Sequence, residues 1–372
     1  MANNFTQIVD KIFARALLAL RENAIMPRLV NTNWGAEVAQ PGDTINVPIP
    51  SAMEVSDVVP GPTPPAGGDV APTTVPIQLN RWRKVDMHVT DKEAREIAQG
   101  GREVQLSEAM KALANDVDAY LLGLYTGIYG FAGTPGTTPF GGESLQAATD
   151  ARKVLGQQLA PSDPRFIVLN PDAEANALLI RAVQDASFRA NQENTLRTGR
   201  IGTLLGFDWF MDQQVKSHTA GTGAGYLVNQ ANHAVGDTTV TVDTGTGTIL
   251  PGDIFTVAGD TQTYVVKSFA GNVITYAPAA KTAFADNAAI TLKGNHVVNL
   301  AFHRDAFALA VRPLAPADGF TGGHEIRTGV DPVSGLALTL EISREYNRTK
   351  YQWSILYGAS LVRPELAARI AG

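Results

Sequence analysis

The chain has 372 residues, of which 44% are hydrophobic and 18% charged, with 35 glycines and 21 prolines. A chain of this length and composition is globular, spans about two or three domains and is rich in strands and turns, which excludes a disordered or coiled-coil protein. It has no cysteine and a net charge of −6. Disulfides and thiolate chemistry are therefore excluded, and the charge argues against a protein that holds nucleic acid through clustered basic residues.

Residues 1–35 predict an amphipathic helix and an N-terminal arm. Apolar side chains recur at helical spacing between Phe5 and Leu20, and charged residues such as Asp10 and Arg15 interrupt the apolar runs. The segment is therefore neither a signal peptide nor a membrane span, and we expect the protein to be synthesised in the cytoplasm. The apolar face of this helix needs a surface on which to lie.

Residues 36–89 predict a long β-hairpin. Residues 44–49 alternate apolar and polar side chains as a strand does, and alternation returns between Thr73 and Val89. Prolines and glycines are concentrated over residues 60–76, which is typical of a hairpin tip because proline cannot donate to a strand ladder. A two-stranded arm of this kind has no core of its own. Like the N-terminal helix, it presents a surface that we expect other copies of the chain to cover.

One basic cluster with an aromatic residue falls on this predicted hairpin, and it consists of Arg81, Trp82, Arg83 and Lys84. The cluster is short for a nucleic-acid patch, which stays open as the alternative interpretation. We expect these side chains to make salt-bridging contacts with a neighbouring subunit, because the hairpin lacks a core within its own chain.

Two helices are predicted to meet at the adjacent glycines Gly100 and Gly101. Residues 90–93 match a capping box, so a first helix begins at Asp91. Gly100 fits the left-handed position that ends a helix, and a longer second helix is predicted over residues 102–124. The second helix keeps one apolar stripe, which consists of Leu106, Met110, Leu113, Val117, Tyr120, Leu121 and Leu124. The glycine pair is a candidate hinge between the two helices.

The rest of the chain predicts an α+β fold with a separate β unit. Residues 131–219 alternate helices and strands, and strands dominate again over residues 296–340 and 341–372. Between these regions, residues 220–295 contain short alternating strands that are separated by glycine-rich turns. We interpret this segment as a small all-β barrel or sandwich that is inserted into a discontinuous parent domain.

No motif in the chain indicates catalysis, and we predict neither a cofactor nor a metal site. The histidines are scattered without the spacing of a zinc site. His303, Arg304 and Asp305 match the kinase triplet, but Ala310 stands where the catalytic loop needs asparagine, so we interpret the match as coincidence. We therefore expect a protein that is not an enzyme.

Two acid pairs qualify for acid–base chemistry by residue type alone. Asp116 with Asp118, and Glu341 with Glu345, would need a defined separation between carboxyl groups, which the sequence does not measure. We expect all of these carboxylates to lie on solvated helix and strand faces.

Several segments, taken in order, resemble parts of tailed-bacteriophage major capsid (coat) proteins. The matching segments are ALLALRENAIMPRLVNTNW, PGDTINVPIP, GTLLGFDWFMDQQV, NLAFHRDAFALAVRPL and YGASLVRPELAARI. The proline-rich loop and the capped helix followed by a long helix also agree in position, so the likeness extends over nearly the whole chain.

This resemblance implies the HK97-like capsid fold, with an inserted β domain of the type found in podophage coat proteins. The implied parts are the N-terminal arm (1–35), the extended loop (36–89), the peripheral domain with its spine helix (90–130), the axial domain (131–219 and 296–340), the inserted β domain (220–295) and the return strands of the peripheral domain (341–372).

By the same resemblance, the chain assembles with itself into the hexamers and pentamers of an icosahedral shell, which encloses double-stranded DNA without sequence-specific binding. The implied partners are a separate scaffolding protein, a portal protein and a decoration protein. The implied location is the virion capsid, assembled in the bacterial host cytoplasm without membrane contact. Gly100 and Gly101 would then mark the point where the spine helix changes angle during procapsid maturation.

Two alternatives stay open. An encapsulin-type nanocompartment shares the fold and encloses enzymes, and a glycan- or receptor-binding structural module would use the β unit as its binder. A hydrolase is the weakest alternative, because the chain offers no catalytic constellation.

Overall fold

The computed structural model describes residues 13–14, 16–17, 24–33, 44–49, 57, 72–92, 101–184, 198–313, 325–331 and 334–372, and for residues 101–107 it describes the backbone alone. The described α-helices are α1 (Met26–Leu29), α2 (Gly101–Gly123), α3 (Gln146–Gln157), α4 (Pro171–Leu179) and α5 (Arg181–Gln184). Short 3-10 helices cover Leu124–Gly127, Gly141–Glu143, Arg304–Ala306 and Pro364–Leu366.

The strands are mostly short, as the sequence predicts. They are β1 (Thr44–Ile49), β2 (Thr73–Gln78), β3 (Arg81–Thr90), β4 (Gly130–Gly133), β5 (Arg165–Leu169), β6 (Thr203–Leu204), β7 (Phe207–Met211), β8 (Ser217–His218), β9 (Leu227–Val228), β10 (Thr239–Asp243), β11 (Ile254–Val257), β12 (Tyr264–Ala270), β13 (Val273–Ala277), β14 (Ile290–Leu292), β15 (His296–His303), β16 (Phe307–Arg312), β17 (Glu325–Val330), β18 (Ala337–Glu345), β19 (Arg348–Leu361) and β20 (Ala367–Ala371). The mixture of helices and strands confirms the predicted α+β class.

The long helix α2 forms as predicted, and it begins at Gly101, one residue before the expected start. Its predicted apolar stripe is buried at Met110, Leu113, Val117 and Leu121. These side chains join the largest hydrophobic core of the molecule, together with Trp353 and neighbouring residues of β19. The helix is therefore held by packing along its apolar stripe rather than by helix propensity.

The sheet beneath α2 is covered on both faces. It has the strand order β16-β19-β18-β17, with β3 also paired to β19. Alternate residues of a strand point to opposite faces. In β19, Ile355 and Tyr357 belong to the core under α2, whereas Leu356 packs in a separate core with Ile45 and Ile77 of the hairpin. The spine-like helix and the hairpin thus lie on opposite faces of one sheet.

The predicted hairpin is present, but its boundary differs from the sequence-based one. β1 and β2 pair antiparallel, with Thr44 opposite Gln78 and Ile49 opposite Thr73. The next strand, β3, pairs with β19 over ten residues instead of extending the hairpin. Residues 81–89 therefore belong to the sheet that carries α2, which corrects the placement of the basic cluster on the arm. Alternation identified the strand, but its partner lies far along the chain, where local pattern gives no information.

A seven-stranded sheet forms the second layer of the parent fold. Its strand order is β4-β20-β15-β5-β7-β6, with β8 paired to β15. The strand β20 at the C-terminal end lies between β4 and β15, while β16 belongs to the sheet under α2. These pairings differ from the sequence-based division, which placed residues 341–372 together in the peripheral domain and residues 296–340 in the axial domain. The chain passes from this sheet to the sheet under α2 between β15 and β16, and it returns between β19 and β20. The two sheets are therefore linked by these two connections.

Residues between Leu227 and Leu292 form a six-stranded sheet of their own, in the order β14-β11-β12-β13-β10-β9. Leu227 also bridges to Ala289, and the Val228 amide donates to the carbonyl oxygen of Ala288. The first and last strands of the order are thereby joined, so the sheet closes as a small barrel rather than a sandwich. A separate aromatic-rich core fills it, with Phe255, Tyr264 and other residues.

The described parts of the arm and hairpin are covered by their own chain. Phe13 and Leu17 pack against the main core, and a Cβ atom at Gly329 would lie 2.6 Å from the Phe13 ring. Asn31 exchanges backbone hydrogen bonds with Phe307 and Leu309. The expectation that these segments leave their apolar surfaces for other copies is therefore wrong for the described residues. A sequence shows that a face is apolar without showing which surface covers it.

Candidate functional site

The carboxyl group of Asp118 on α2 anchors the start of α1. Its two oxygens accept hydrogen bonds from the backbone amides of Ile25 and Met26, both at 3.1 Å. The residue is 1% exposed, which corrects the expectation of a solvated carboxylate. Burial, followed by the nearby charge of Asp212, raises the pKa of Asp118 to about 8. The signal in the sequence was the position of Asp118 one helical turn from Ala114 and Leu122, both buried.

The neighbouring carboxylate, Asp116, faces the sheet instead of the arm. It accepts a hydrogen bond of 2.7 Å from the Tyr357 hydroxyl and lies 3.4 Å from the Arg83 guanidinium. One helical turn further along α2, the Arg81 guanidinium lies 4.2 Å from the centre of the Tyr120 ring. These contacts fix β3 and β19 against the long helix.

The basic cluster divides between partners within the chain and solvent. Arg81 and Arg83 contact α2, and the Lys84 ammonium lies 2.7 Å from Asp86. Trp82, on the opposite face of β3, is 65% exposed. The two arginines are therefore engaged within their own subunit. Contact between this cluster and a neighbouring subunit stays a prediction, and it now depends chiefly on Trp82.

Gly101 is the first residue of α2, and Gly100 lies outside the described residues. Asp91 and Lys92 are helical, which agrees with a helix start at Asp91, and the remainder of that predicted helix also lies outside the described residues. The hinge at the glycine pair stays a prediction. The position of Gly101 at a helix start is compatible with it, since glycine costs less there than inside a helix.

A buried polar cluster joins the barrel to the C-terminal end of α2, and sequence analysis missed it. The Tyr125 hydroxyl lies 3.1 Å from Nδ1 of His218, and Nε2 of His218 lies 2.9 Å from Asp253. Asp253 also accepts the backbone amides of Gly221 and Leu250. A carboxylate oxygen accepts hydrogen bonds, so Nε2 of His218 is the donor in its contact with Asp253. No local residue spacing in the sequence indicates this cluster, because its members come from three segments that are far apart in the chain.

Arg369 and His296 complete the buried cluster. The Arg369 guanidinium donates to the carbonyl oxygen of Gly252 at 2.9 Å and lies 5.0 Å from the centre of the Tyr125 ring. Burial lowers the pKa of Arg369 to about 9 and that of His296 to about 4. The rings of His218 and His296 are 5.2 Å apart. The cluster links β8, β15 and β20 of the seven-stranded sheet to the entrance of the barrel. It therefore fixes the position of the barrel relative to this sheet.

The comparisons with known proteins rest on structure. No protein-family model and no curated protein matches the chain. The fold is similar to that of a chain in the structure of Mycobacterium phage Che8, with a TM-score of 0.53 and 12% sequence identity over 93% of this chain and 90% of that chain. The chain has the fold of this phage protein.

Other similarities have lower scores. A chain from the capsid structure of the cyanophage P-SCSP1u has a TM-score of 0.49 at 12% identity, with 93% of this chain and 87% of that chain covered. A virus-like particle from Pyrococcus furiosus has a TM-score of 0.45 at 11% identity, with 97% of each chain covered. At the level of the fold, the resemblance to tailed-bacteriophage proteins that the sequence indicates is confirmed by the Che8 phage chain.

The other residues considered for chemistry take structural positions. His303 accepts the Asp305 amide in a short turn, and Asp305 accepts from the Asn31 side chain at 2.9 Å. Glu345 forms an ion pair with Arg348. Within the described ranges, no group of three or more histidine, aspartate or glutamate residues is placed to hold a metal ion. Within the same ranges, no helix is long and apolar enough to span a bilayer.

Proposed function

We propose that this chain is the major capsid protein of a tailed bacteriophage, which self-assembles into the icosahedral shell around the double-stranded DNA genome. The observation that carries the proposal is the fold shared with the Mycobacterium phage Che8 chain over 93% of this chain. A match that covers 93% of this chain and 90% of that chain concerns the architecture and not one common motif.

The geometry is suited to a shell subunit. The long helix α2 and the hairpin lie on opposite faces of one sheet, so both faces of this sheet are covered within the subunit. The contacts of Asp118 and Asp116 tie the arm and the sheet to α2. A subunit that must meet identical neighbours on several sides benefits from such rigid mounting of its projecting parts, since symmetric interfaces demand a fixed shape.

We assign the chain to the HK97-like fold, with an inserted β domain of the type found in podophage coat proteins. In it, residues 1–35 form the N-terminal arm, residues 36–80 the extended loop, and α2 the spine helix of the peripheral domain. The barrel between Leu227 and Leu292 is the inserted β domain of the axial region. The separate core of the barrel supports this reading, because a unit with its own core can be inserted without disturbing its host.

The proposal includes the partners and location of such proteins. The chain forms hexamers and pentamers, and it assembles in the bacterial cytoplasm with a separate scaffolding protein and a portal protein. A decoration protein on the outer surface is a further partner. The net charge of −6 favours a container that does not adhere to its DNA.

Expression with and without the neighbouring phage genes, followed by negative-stain imaging and nucleic-acid analysis of purified particles, tests the proposal. Closed shells of uniform size that require a scaffolding gene, and that contain DNA when made during infection, are the expected result. Shells that contain an enzyme would instead identify an encapsulin-type nanocompartment. A small soluble oligomer that binds glycans would identify a receptor-binding module.

A further inference from the structure

Leu159, in the loop that follows α3, combines an unfavourable backbone conformation with an exposed apolar side chain. The amide of Leu159 donates to the carbonyl oxygen of Gly156, and the amide of Ala160 donates to that of Leu155. This is the Schellman pattern at the end of a helix, in which glycine is the usual residue at the left-handed position. Here that position holds Leu159, with a φ of +59° and a side chain that is 89% exposed.

Packing within the subunit explains similar conformations elsewhere, but not at Leu159. Two other apolar residues of the described ranges have a positive φ, namely Phe140 at +65° and Leu205 at +56°. Phe140 is buried in the core between α3 and the seven-stranded sheet, and Leu205 packs against the same core. Their apolar contacts offset the backbone strain. At Leu159 the strain has no such compensation in the described part of the chain, which points to a role outside the subunit.

The loop that presents Leu159 is held in place from below. Arg165, the first residue of β5, donates from Nη2 to the carbonyl oxygen of Ala160 at 2.7 Å and from Nε to that of Pro161 at 2.6 Å. Together with the Schellman hydrogen bonds, these contacts fix the main chain on both sides of Leu159. The side chain is therefore positioned before a partner arrives, which lowers the entropic cost of binding.

A groove of about 780 Å³ beside the same sheet offers an apolar surface of suitable chemistry. Its lining includes Leu169, Ile201, Phe210 and Met211, and the side chain of Phe210 is 39% exposed. Leu169 is the last residue of β5, whereas Leu159 precedes the first residue of that strand. The groove and Leu159 therefore belong to different ends of β5, so one subunit can offer each of them to a different neighbour.

The charges of the loop and the groove are compatible with contact. Residues 157–163, QQLAPSD, carry a single charge, which is that of the exposed Asp163. The groove is lined by two basic and two acidic residues, which are Arg28, Arg200, Glu174 and Asp208. Both arginines are exposed, so Asp163 of one copy can pair with an arginine at the rim. An apolar centre with charges at its edge is the usual anatomy of an interface.

We propose that Leu159 of one subunit docks against Phe210 in this groove of an identical neighbour, and that the contact repeats head to tail around a ring. A contact between two different surfaces of the same chain closes into a ring when the rotation between copies allows it. Pentamers and hexamers are rings of this kind. The inference rests on the proposed function, because it assigns one subunit contact within the shell.

Leu159→Gly separates folding from assembly. Glycine relieves the backbone strain, so the midpoint of denaturant unfolding of the subunit should rise. Loss of the apolar anchor should raise the protein concentration that shell formation requires by at least about tenfold. Glu143→Gly is the matched control, because Glu143 has the same φ of +59° and is exposed. It removes no apolar side chain, so shell formation should be unchanged.

Leu159→Asn covers the case in which the glycine variant folds poorly. Asparagine tolerates the left-handed conformation and places a polar group where the groove is apolar. This variant should therefore impair shell formation as strongly as Leu159→Gly does.

Crosslinking identifies the surface that Leu159 contacts. The chain has no cysteine, so Leu159→Cys combined with Phe210→Cys introduces the only two thiols. In assembled shells, a short bismaleimide should join the subunits into ladders of up to six. Leu159→Cys combined with Leu179→Cys, another exposed position, should give monomers after denaturation.

Three results would overturn this contact and leave the proposed function standing. They are equal shell formation by Leu159→Gly and Glu143→Gly, intact shells in which positions 159 and 210 do not crosslink, and ladders from the pair of positions 159 and 179. Failure of the unmodified chain to form shells with its scaffolding protein would overturn both proposals.

Discussion

Gly358 in β19 lies directly against the main chain of the hairpin, where a Cβ atom would come within 2.2 Å of the carbonyl oxygen of Gln78. The next strand in the chain, β3, pairs with β19 on the same sheet. The hairpin therefore crosses the sheet of β19 at Gly358, where there is no room for a side chain. This crossing fixes the described part of the hairpin on the sheet of β19.

Gly358→Ala should loosen the base of the hairpin. The obstacle is a backbone oxygen and not a flexible side chain, so the strands must separate, at a cost of about 1–3 kcal/mol in the free energy of unfolding. Gly123→Ala is the control, because a Cβ atom there meets nothing within 4 Å, and it should raise stability by about 0.5–1 kcal/mol. Denaturant unfolding measures both, and equal stability of the two variants would contradict the crossing.

Asp253→Asn should lower the free energy of unfolding by about 2–4 kcal/mol, because it disrupts the polar cluster that joins the barrel to the rest of the chain. The amide keeps one acceptor but turns a donor towards the amide protons of Gly221 or Leu250, or towards Nε2 of His218. Denaturant unfolding and hydrogen exchange over residues 217–253 measure the effect. Asp286→Asn on the exposed surface of the barrel should stay within about 0.5 kcal/mol. An unchanged unfolding midpoint in Asp253→Asn would show that the cluster does not contribute to stability.

The contribution of His296 to the stability of the chain should fall as the pH falls below about 6.5. Burial lowers the pKa of His296 to about 4, so its neutral form is favoured in the folded chain and its contribution is lost between about 6.5 and about 4. Burial lowers the pKa of His233 in the barrel as well. The loss for His296 is on the order of 3 kcal/mol.

His296→Gln separates these contributions. On going from neutral to acidic pH, its unfolding free energy should lie higher, relative to its neutral value, than that of the unmodified chain. His88→Gln, at an exposed position on β3, is the control. Identical pH profiles for the two variants would be incompatible with a buried, neutral His296.

Trp82→Ala should impair assembly without weakening the subunit. The indole is 65% exposed, so its removal should change the free energy of unfolding by less than about 0.5 kcal/mol, whereas a buried tryptophan at an interface contributes about 2 kcal/mol or more. Particle yield by sedimentation measures the effect. Leu179→Ala, at 67% exposure on a different surface, is the control. Normal shell yield from Trp82→Ala would remove this cluster from the subunit contacts.

The double substitution Gly100→Ala and Gly101→Ala tests the hinge. Alanine favours a continuous helix by about 1 kcal/mol at each position, so the segment should stiffen and the shells should stay at one diameter. Electron microscopy before and after a maturation trigger measures the diameter. Expansion equal to that of the unmodified shell would mean that the spine bends elsewhere.

The longest helix was predictable because its signal is local. Met110, Leu113, Val117 and Leu121 recur at helical spacing, and all of them are buried. The strands of the barrel were equally predictable, since alternation of apolar and polar residues and glycine turns are also local features. Closure of the barrel through Leu227 and Ala289 was not, because it joins residues far apart in the chain.

The buried polar groups were the least predictable part. Asp118 and Asp116 look alike in the sequence, yet one anchors the arm in the core and the other faces Tyr357 and Arg83. Tyr125, His218 and Asp253 meet only because three segments converge at the mouth of the barrel. Periodicity reports which residues share a face of one element, and it carries no information about the element that covers that face.

Cryo-electron microscopy of particles formed by this chain together with its scaffolding protein tests the central claim most directly. We predict closed icosahedral shells built of pentamers and hexamers, in which each subunit shows α2 and the hairpin on opposite faces of the sheet of β19. A chain that stays a monomer or a small open oligomer at high concentration, with its scaffolding protein present and no closed shell formed, would contradict the account.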